Sequence, residues 1–304
     1  MRILVTGVSG QVGGALIPRL HRHELIAASR ELLDLSFPQK IGEILDKLRP
    51  DLIINPAAYT AVDRAEDEST LATLINAEAP KTIAQWAAAA KIPFIHFSTD
   101  YVFDGSGERP WREDDAANPL SVYGASKLAG ERAIRAAGGI FLIVRTCWIY
   151  SAKGKNFLRT IASLARERNE LRIVDDQIGA PTSADLVAEA VSRMVSEGLE
   201  AFSARCAQAN GIVHIATAGY ASWYDFALAI VDGLKQRGLT LAVEQIQPIT
   251  SDEYPVRAKR PRNSRLDLTR LRQVFGITPP PWRDALALEL DRLIGKTPNG
   301  AVSW

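Results

Sequence analysis

The chain has 304 residues, 47% hydrophobic and 23% charged, enough apolar mass for one large or two modest α/β units and too much for a disordered segment. Its formal net charge of +1 lacks the basic excess that a nucleic-acid partner selects. Two cysteines (Cys147, Cys206) make no framework, four histidines (His21, His23, His96, His214) lack metal-ligand spacing, and no apolar run approaches the ~20 residues of a membrane helix, so a disulfide scaffold, a metal centre and a membrane protein are not expected.

The first apolar run, Ile3–Thr6, is ended by glycine too soon for a signal peptide, and a soluble, cytoplasmic protein is expected. Similar near-unbroken runs follow at Leu25–Ala28, Leu52–Asn55, Phe94–Ser98 and Phe141–Arg145, as strands buried on both faces require. Helical patterns lie between them at Gln11–Leu20, Ile41–Leu48, Leu71–Ala90 and Val122–Ala137. This alternation predicts the α/β class, with a doubly wound parallel (Rossmann) sheet forming a dinucleotide-binding domain over residues 1–146. Beyond it the rhythm changes. Helices are expected at Asn156–Arg168, Ser183–Val195 and Trp282–Ile294, and another at Trp223–Lys235 behind Ser222 as N-cap. Short strands are expected at Leu171–Val174 and Val213–Ile215, and proline breaks near Pro255–Pro261 and at Pro279–Pro281. Residues 147–304 therefore read mainly as a smaller α/β substrate-binding lobe, with segments near 183–198 and 211–216 returning to the first domain.

Between the first strand and helix, Gly7, Gly10 and Gly13 give the spacing GxxGxxG. The first glycine permits a tight turn, the second lets backbone approach a pyrophosphate, and the third lets helix and strand pack closely. Amides at the helix N-terminus then face the phosphates. The second strand ends in Ser29-Arg30, where an acidic residue would favour NAD; a hydroxyl and a guanidinium suit a 2′-phosphate, so NADPH is the expected cofactor and NADH the second candidate. Asp34, beside Leu35, either meets the adenine edge or caps a turn. Small residues after the third strand, Ala57 and Ala58 before Tyr59 and Thr60, let a cofactor pass over the carboxyl edge of the sheet.

The fourth strand ends in polar residues, Ser98-Thr99-Asp100, with Thr99 placed to bond a substrate carbonyl oxygen. Tyr123 and Lys127 then stand four apart on one face of the next helix. A free tyrosine titrates at ~10, and a neighbouring ammonium, with the positive nicotinamide ring left after hydride transfer, would stabilise the phenolate and lower that value, the property of a proton donor for ketone reduction. Trp148, after the fifth strand, either stacks on a sugar or base or packs a hinge between lobes. Arg262, Asn263 and Arg265 either meet a diphosphate or form solvated loop.

Several blocks together resemble the dTDP-4-dehydrorhamnose reductase family of the extended short-chain dehydrogenase/reductases: residues 10–13 (Gly-Gln-Val-Gly), 59–66, 76–80, 98–103 (Ser-Thr-Asp-Tyr-Val-Phe), 123–131, 145–148, 176–182 and 260–266, in order along essentially the whole chain. The resemblance implies NADPH-dependent reduction of dTDP-4-dehydro-β-L-rhamnose at C4, the last step of dTDP-L-rhamnose synthesis, on a nucleotide-sugar partner. It implies that Tyr123 is the proton donor with Lys127 beside it, that Thr99 tunes Tyr123, and that Asp100 and Trp148 hold substrate. Gly10, Gln11 and Val12 match the pyrophosphate loop, and Ala58, Tyr59 and Thr60 the cofactor wall. Some family members bind magnesium at a dimer interface; Glu289 and Asp291 are available here, but the match is not residue-specific, so neither the metal nor a homodimer is carried over as more than an open option. Two other readings compete: a reductase of a different nucleotide-4-keto-6-deoxysugar, and a non-catalytic dinucleotide-binding subunit like the regulatory subunit of methionine adenosyltransferase.

Overall fold

The computed structural model describes residues 1–295; the end of the expected second lobe, 296–304, lies outside them. In chain order the elements are β1 (Arg2–Val5), α1 (Gln11–Arg19), β2 (Glu24–Ala27), α2 (Pro38–Leu48), β3 (Leu52–Asn55), the short α3 (Val62–Ala65) and α4 (Ser69–Thr73), α5 (Ala79–Ala90), β4 (Phe94–Thr99), α6 (Val122–Ala137) and β5 (Phe141–Thr146). There follow β6 (Ile149–Tyr150), α7 (Phe157–Glu167), β7 (Glu170–Val174), β8 (Ile178–Gly179), β9 (Thr182–Ser183), α8 (Ala184–Ser196), α9 (Leu199–Gln208), β10 (Ile212–His214), β11 (Ala221–Ser222), α10 (Trp223–Gln236), β12 (Gln245–Ile249), α11 (Thr269–Phe275) and α12 (Trp282–Leu293).

Six strands form one parallel sheet in the order β10-β5-β4-β3-β1-β2. The strands are apolar because helices cover both faces; Leu4, Ile53 and Ile143 point to one layer, and Val5, Ile54 and Val144 to the other. The direction of winding reverses between β1 and β3, which opens a crevice at their carboxyl ends, where ligands bind in such sheets. A second core gathers Tyr150, Leu158, Phe226, Ile230 and Trp282 under α7, α10 and α12. Among the described residues no helix is long and apolar enough to cross a membrane.

The expected helix Leu71–Ala90 is broken. After α4 the chain takes one π-helical turn over Leu74–Glu78 before α5 begins. The turn carries Asn76 inward, where its amide accepts from Tyr59 N–H, and donates to Tyr59 C=O and Ser126 Oγ. Gly130 admits this bulge, because a Cβ there would lie 2.1 Å from Asn76 O. Such bulges are frequent at functional sites. Beyond several two-residue strands and the short α3, three longer elements are additional to the sequence reading. α9 follows Gly198 with weak amphipathicity, α11 has only seven residues, and β12 contains Pro248, tolerable because it pairs on one side only, with β7.

Candidate active site

The turn after β1 is made of backbone. Gly7 has φ +56°, and a Cβ there would come within 2.9 Å of Ala57 Cα after β3. At Gly13 a Cβ would lie 2.2 Å from Gly7 O, so α1 can approach β1 only with glycine there. Gly10 N–H donates to Gly7 O at 2.8 Å, and no side chain caps α1, which leaves its first amides facing the crevice. Gln11 has a second duty: its Oε1 accepts from Asn156, the N-cap of α7, at 2.9 Å, tying the turn to the second core. Val12 is half-buried behind the turn.

Ser29 and Arg30 are exposed at the end of β2. Asp34 takes the turn-capping role of its two readings: it accepts from Ser36 N–H at 2.9 Å and Ser36 Oγ at 2.7 Å. Partial burial pushes its carboxyl up, and these bonds with the Arg30 charge outweigh it, so Asp34 titrates below the usual range. Leu35 is buried, its side chain packed in the core with Leu33, Ile41 and Leu45. Ala58 and Tyr59 are half-buried and Thr60 exposed, on a segment held by Asn76 and by the Tyr59 hydroxyl donating to Glu68 at 2.7 Å.

The other half of the site is made of side chains. Gly124 lets α6 press against the turn after β4, since a Cβ there would lie 2.2 Å from Tyr101 O. That contact brings Tyr123 towards Thr99 and sets it edge-on to Tyr101 at 5.5 Å. Thr99 Oγ1 also donates to Asp100 Oδ1 at 3.0 Å and accepts from Tyr101 N–H. Asp100 Oδ2 and Thr146 Oγ1 are buried with no partner in the protein, two polar atoms free for a ligand. Burial raises the Asp100 carboxyl to about 6, against the pull of Ser264 and Thr99.

The expected effect of Lys127 on Tyr123 is not what the structure shows. Burial pushes the Tyr123 phenol up to about 12, with Thr99 pulling it down and Asp100 adding to the rise. Burial pushes Lys127 down to about 7, opposed by Glu131. A low-dielectric site penalises phenolate and ammonium alike. The Lys127 amine meets His96 Nε2 at 3.1 Å. His96 in turn meets Asn55, and Asn55 meets Thr6, a string that was not among the expected site residues. Its one sequence signal is a histidine inside an otherwise apolar strand. Beneath it a buried ion pair, Arg145 with Glu131 at 2.6 Å, also binds Ser98 and braces α6 on β4 and β5.

Trp148 is a packing residue in the chain alone. It stands at φ +47° with one face stacked on Trp223 at 3.6 Å, which is packing between β5 and α10. Gly179 makes room for it, since a Cβ there would lie 2.6 Å from the indole. Asn263 is buried, donating to Arg109 C=O at 2.8 Å, and Arg265 donates to Glu108 C=O; Arg262 is exposed, 3.7 Å from Asp176. Glu289 accepts from Ala152 N–H and pairs with Arg292, while Asp291 pairs with Arg237. Among the described residues no group of three or more His, Cys, Asp or Glu is arranged to hold a metal.

Sheet, glycine turn and Tyr-Lys helix together define a Rossmann-type protein of short-chain dehydrogenase/reductase architecture. A family model described as the RmlD substrate binding domain matches residues 1–294. A dTDP-4-dehydrorhamnose reductase of Burkholderia thailandensis is 42% identical over 95% of this chain and 97% of its own. The crystal structure of a dTDP-4-dehydrorhamnose reductase from Clostridium acetobutylicum superposes with TM-score 0.87 at 35% identity, covering 96% of this chain and 99% of that one. That of Bacillus anthracis, in complex with NADP, gives 0.85 at 31% identity and the same coverage. The chain belongs to the dTDP-4-dehydrorhamnose reductase family.

Proposed function

We propose that this chain reduces the C4 ketone of dTDP-4-dehydro-β-L-rhamnose with NADPH, yielding dTDP-L-rhamnose, and that Tyr123 donates the proton. The observation that carries the reading is Tyr123 on α6 brought to the end of β4, with Thr99 pulling its phenol down, beside the unpartnered Asp100 oxygen at the carboxyl edge of the sheet. Family membership supplies the substrate.

The open amides of α1 and the exposed Ser29 and Arg30 fit a phosphorylated dinucleotide. NADPH, when bound, supplies the hydride. Tyr123, titrating at about 12, is fully protonated at neutral pH and so is loaded to deliver its proton to the developing alkoxide on O4. Thr99, which pulls the phenol's titration down, favours the phenolate that is left. To Asp100 Oδ2 and Thr146 Oγ1, both buried and unpartnered, we assign the orienting of sugar hydroxyls. We assign the cofactor to the sheet half and the sugar nucleotide to the side closed by Trp148 and Trp223.

The test is cofactor oxidation by the purified chain on adding the dTDP-4-keto sugar, with NADPH and NADH in parallel. Stoichiometric oxidation, faster with NADPH, is expected. Tight cofactor binding without oxidation would refute the reading and leave a non-catalytic dinucleotide-binding protein.

A further inference from the structure

A continuous string of hydrogen bonds runs through the middle of the sheet beneath the site. Thr6 Oγ1, at the end of β1 and next to Gly7, donates to Asn55 Oδ1 at 2.5 Å. It also accepts from Ala57 N–H at 3.3 Å, on the segment that forms the cofactor wall. Asn55 Nδ2, at the end of β3, meets His96 Nδ1 at 3.1 Å. His96 Nε2, on β4, meets Lys127 Nζ at 3.1 Å. Thr6, Asn55, His96 and Lys127 are each at most 1% exposed, so the string ends at the site and not in solvent. Four polar side chains buried this deeply are disfavoured unless fully paired, and an apolar strand would pack as well.

The imidazole is neutral, because burial and the neighbouring Lys127 both oppose its charge. A neutral imidazole has one donor and one acceptor, so the string has two self-consistent settings. In the first, Asn55 donates to Nδ1, and Nε2–H donates to the lone pair of an uncharged Lys127 amine. In the second, Lys127 as ammonium donates to Nε2, and Nδ1–H donates to the Asn55 oxygen after a half-turn of the amide, whose NH2 then faces Thr6. The titratable groups on the packed elements are Tyr123 and Glu131 from α6, His96 from β4, Asp100 and Glu66 from the loops and Arg145 from β5. Of these Glu131 favours the ammonium, while Arg145 holds it in a bidentate pair.

We infer that Thr6, Asn55 and His96 form a switchable string that seats the Lys127 amine in both of its charge states, which makes Asn55 and His96 positioning residues for the proposed reduction. The inference rests on that reading for its kinetic consequence, whereas its structural core can be measured without turnover. A buried carboxylate in the place of His96 would favour the ammonium alone. This string lets the lysine change charge without leaving its place beside the Tyr123 helix face.

Asn55→Asp separates the settings. A carboxylate only accepts, from Thr6 O–H and from His96 Nδ1–H, so Nε2 is left as an acceptor and the ammonium is favoured. In the full-length variant the limb of the kcat/KM pH profile that depends on Lys127 is expected to move up by about one unit. His96→Leu, which removes both settings, is expected to lower kcat about tenfold or more, with the sugar KM little changed. The turnover-free measurement is the 15N spectrum of the His96 ring in the wild-type chain with NADPH, over about pH 6 to about pH 10. The protonated nitrogen should switch from Nδ1 to Nε2 as pH rises, at the same midpoint as the kinetic limb. A single tautomer across that range overturns the inference, as does a folded Asn55→Asp variant with an unmoved profile. If Asn55→Asp does not fold, the spectrum decides. If the reduction itself is absent, the tautomer switch still stands or falls on its own.

Discussion

The glycine turn after β1 and the polar cluster above β4 lie along the same carboxyl edge of one sheet, yet they are built in opposite ways. The turn uses main-chain atoms and open space: Gly7, Gly10 and Gly13 are there for the Cβ atoms they lack. The cluster uses buried side chains gathered from β3, β4, β5 and α6, and its charges are shifted by burial: Asp100 up to about 6, Tyr123 up to about 12, Lys127 down to about 7. A backbone site tolerates solvent and binds a charged ligand through dipoles. A side-chain site gains its chemistry by excluding water, and therefore carries a stability cost that the turn does not.

Substitutions can break or sharpen this contrast. The largest effect is expected from Tyr123→Phe, which should lower kcat about 10²–10⁴-fold while NADPH affinity, measured by fluorescence, stays within about twofold. Loss of cofactor binding instead would mean the two halves of the edge are not separable. Next is Glu131→Gln, which leaves Arg145 buried beside a neutral partner. It should cost about 3–5 kcal/mol in denaturant unfolding, far more than removing any exposed ion pair such as Lys47–Glu43. Gly13→Ala forces a Cβ against Gly7 O and should destabilise by about 3 kcal/mol, with NADPH binding weakened and the Tyr123 environment kept.

The smallest effect has the opposite sign. The Asp100 carboxyl titrates at about 6 in the folded chain and near 3.8 when free. Below about pH 4 both states hold the proton; above about pH 6 the folded state alone bears the burial cost. Stability from this group therefore falls as pH rises between the two. Asp100→Asn, which keeps an acceptor for Thr99, should gain up to about 2 kcal/mol at pH 8 and nothing at pH 4, as read by thermal unfolding. The gain should come with weaker turnover.

The same contrast explains what the sequence made legible. The turn is local: three glycines, a strand before and a helix after specify it within eight residues of chain, and α6 is visible from its periodicity alone. Tyr123 and Lys127 are legible as a pair because helix spacing puts them on one face. Their electrostatics were not legible, since neither burial nor the 3.1 Å approach of Lys127 to His96 follows from spacing. The Thr6–Asn55–His96 string joins three strands that sequence separation keeps apart by about 50 and 41 residues, a distance only topology closes. The π turn at Leu74–Glu78 escaped for the same reason: Asn76 is drawn inward by Tyr59 and Ser126, not by its neighbours in sequence. The inward packing of the Leu35 side chain was likewise not legible, since proximity to Asp34 says nothing about which way a side chain points.

The most direct measurement of the central claim follows the hydride and the proton together. The purified chain is given NADPH deuterated at C4 of the nicotinamide, with dTDP-4-dehydro-β-L-rhamnose, and the product is analysed by NMR beside a Tyr123→Phe control. The expected result is deuterium at sugar C4 in dTDP-L-rhamnose from the native chain, and almost none from the control. Cofactor oxidation with no label at C4, or equal labelling by both proteins, would contradict the account.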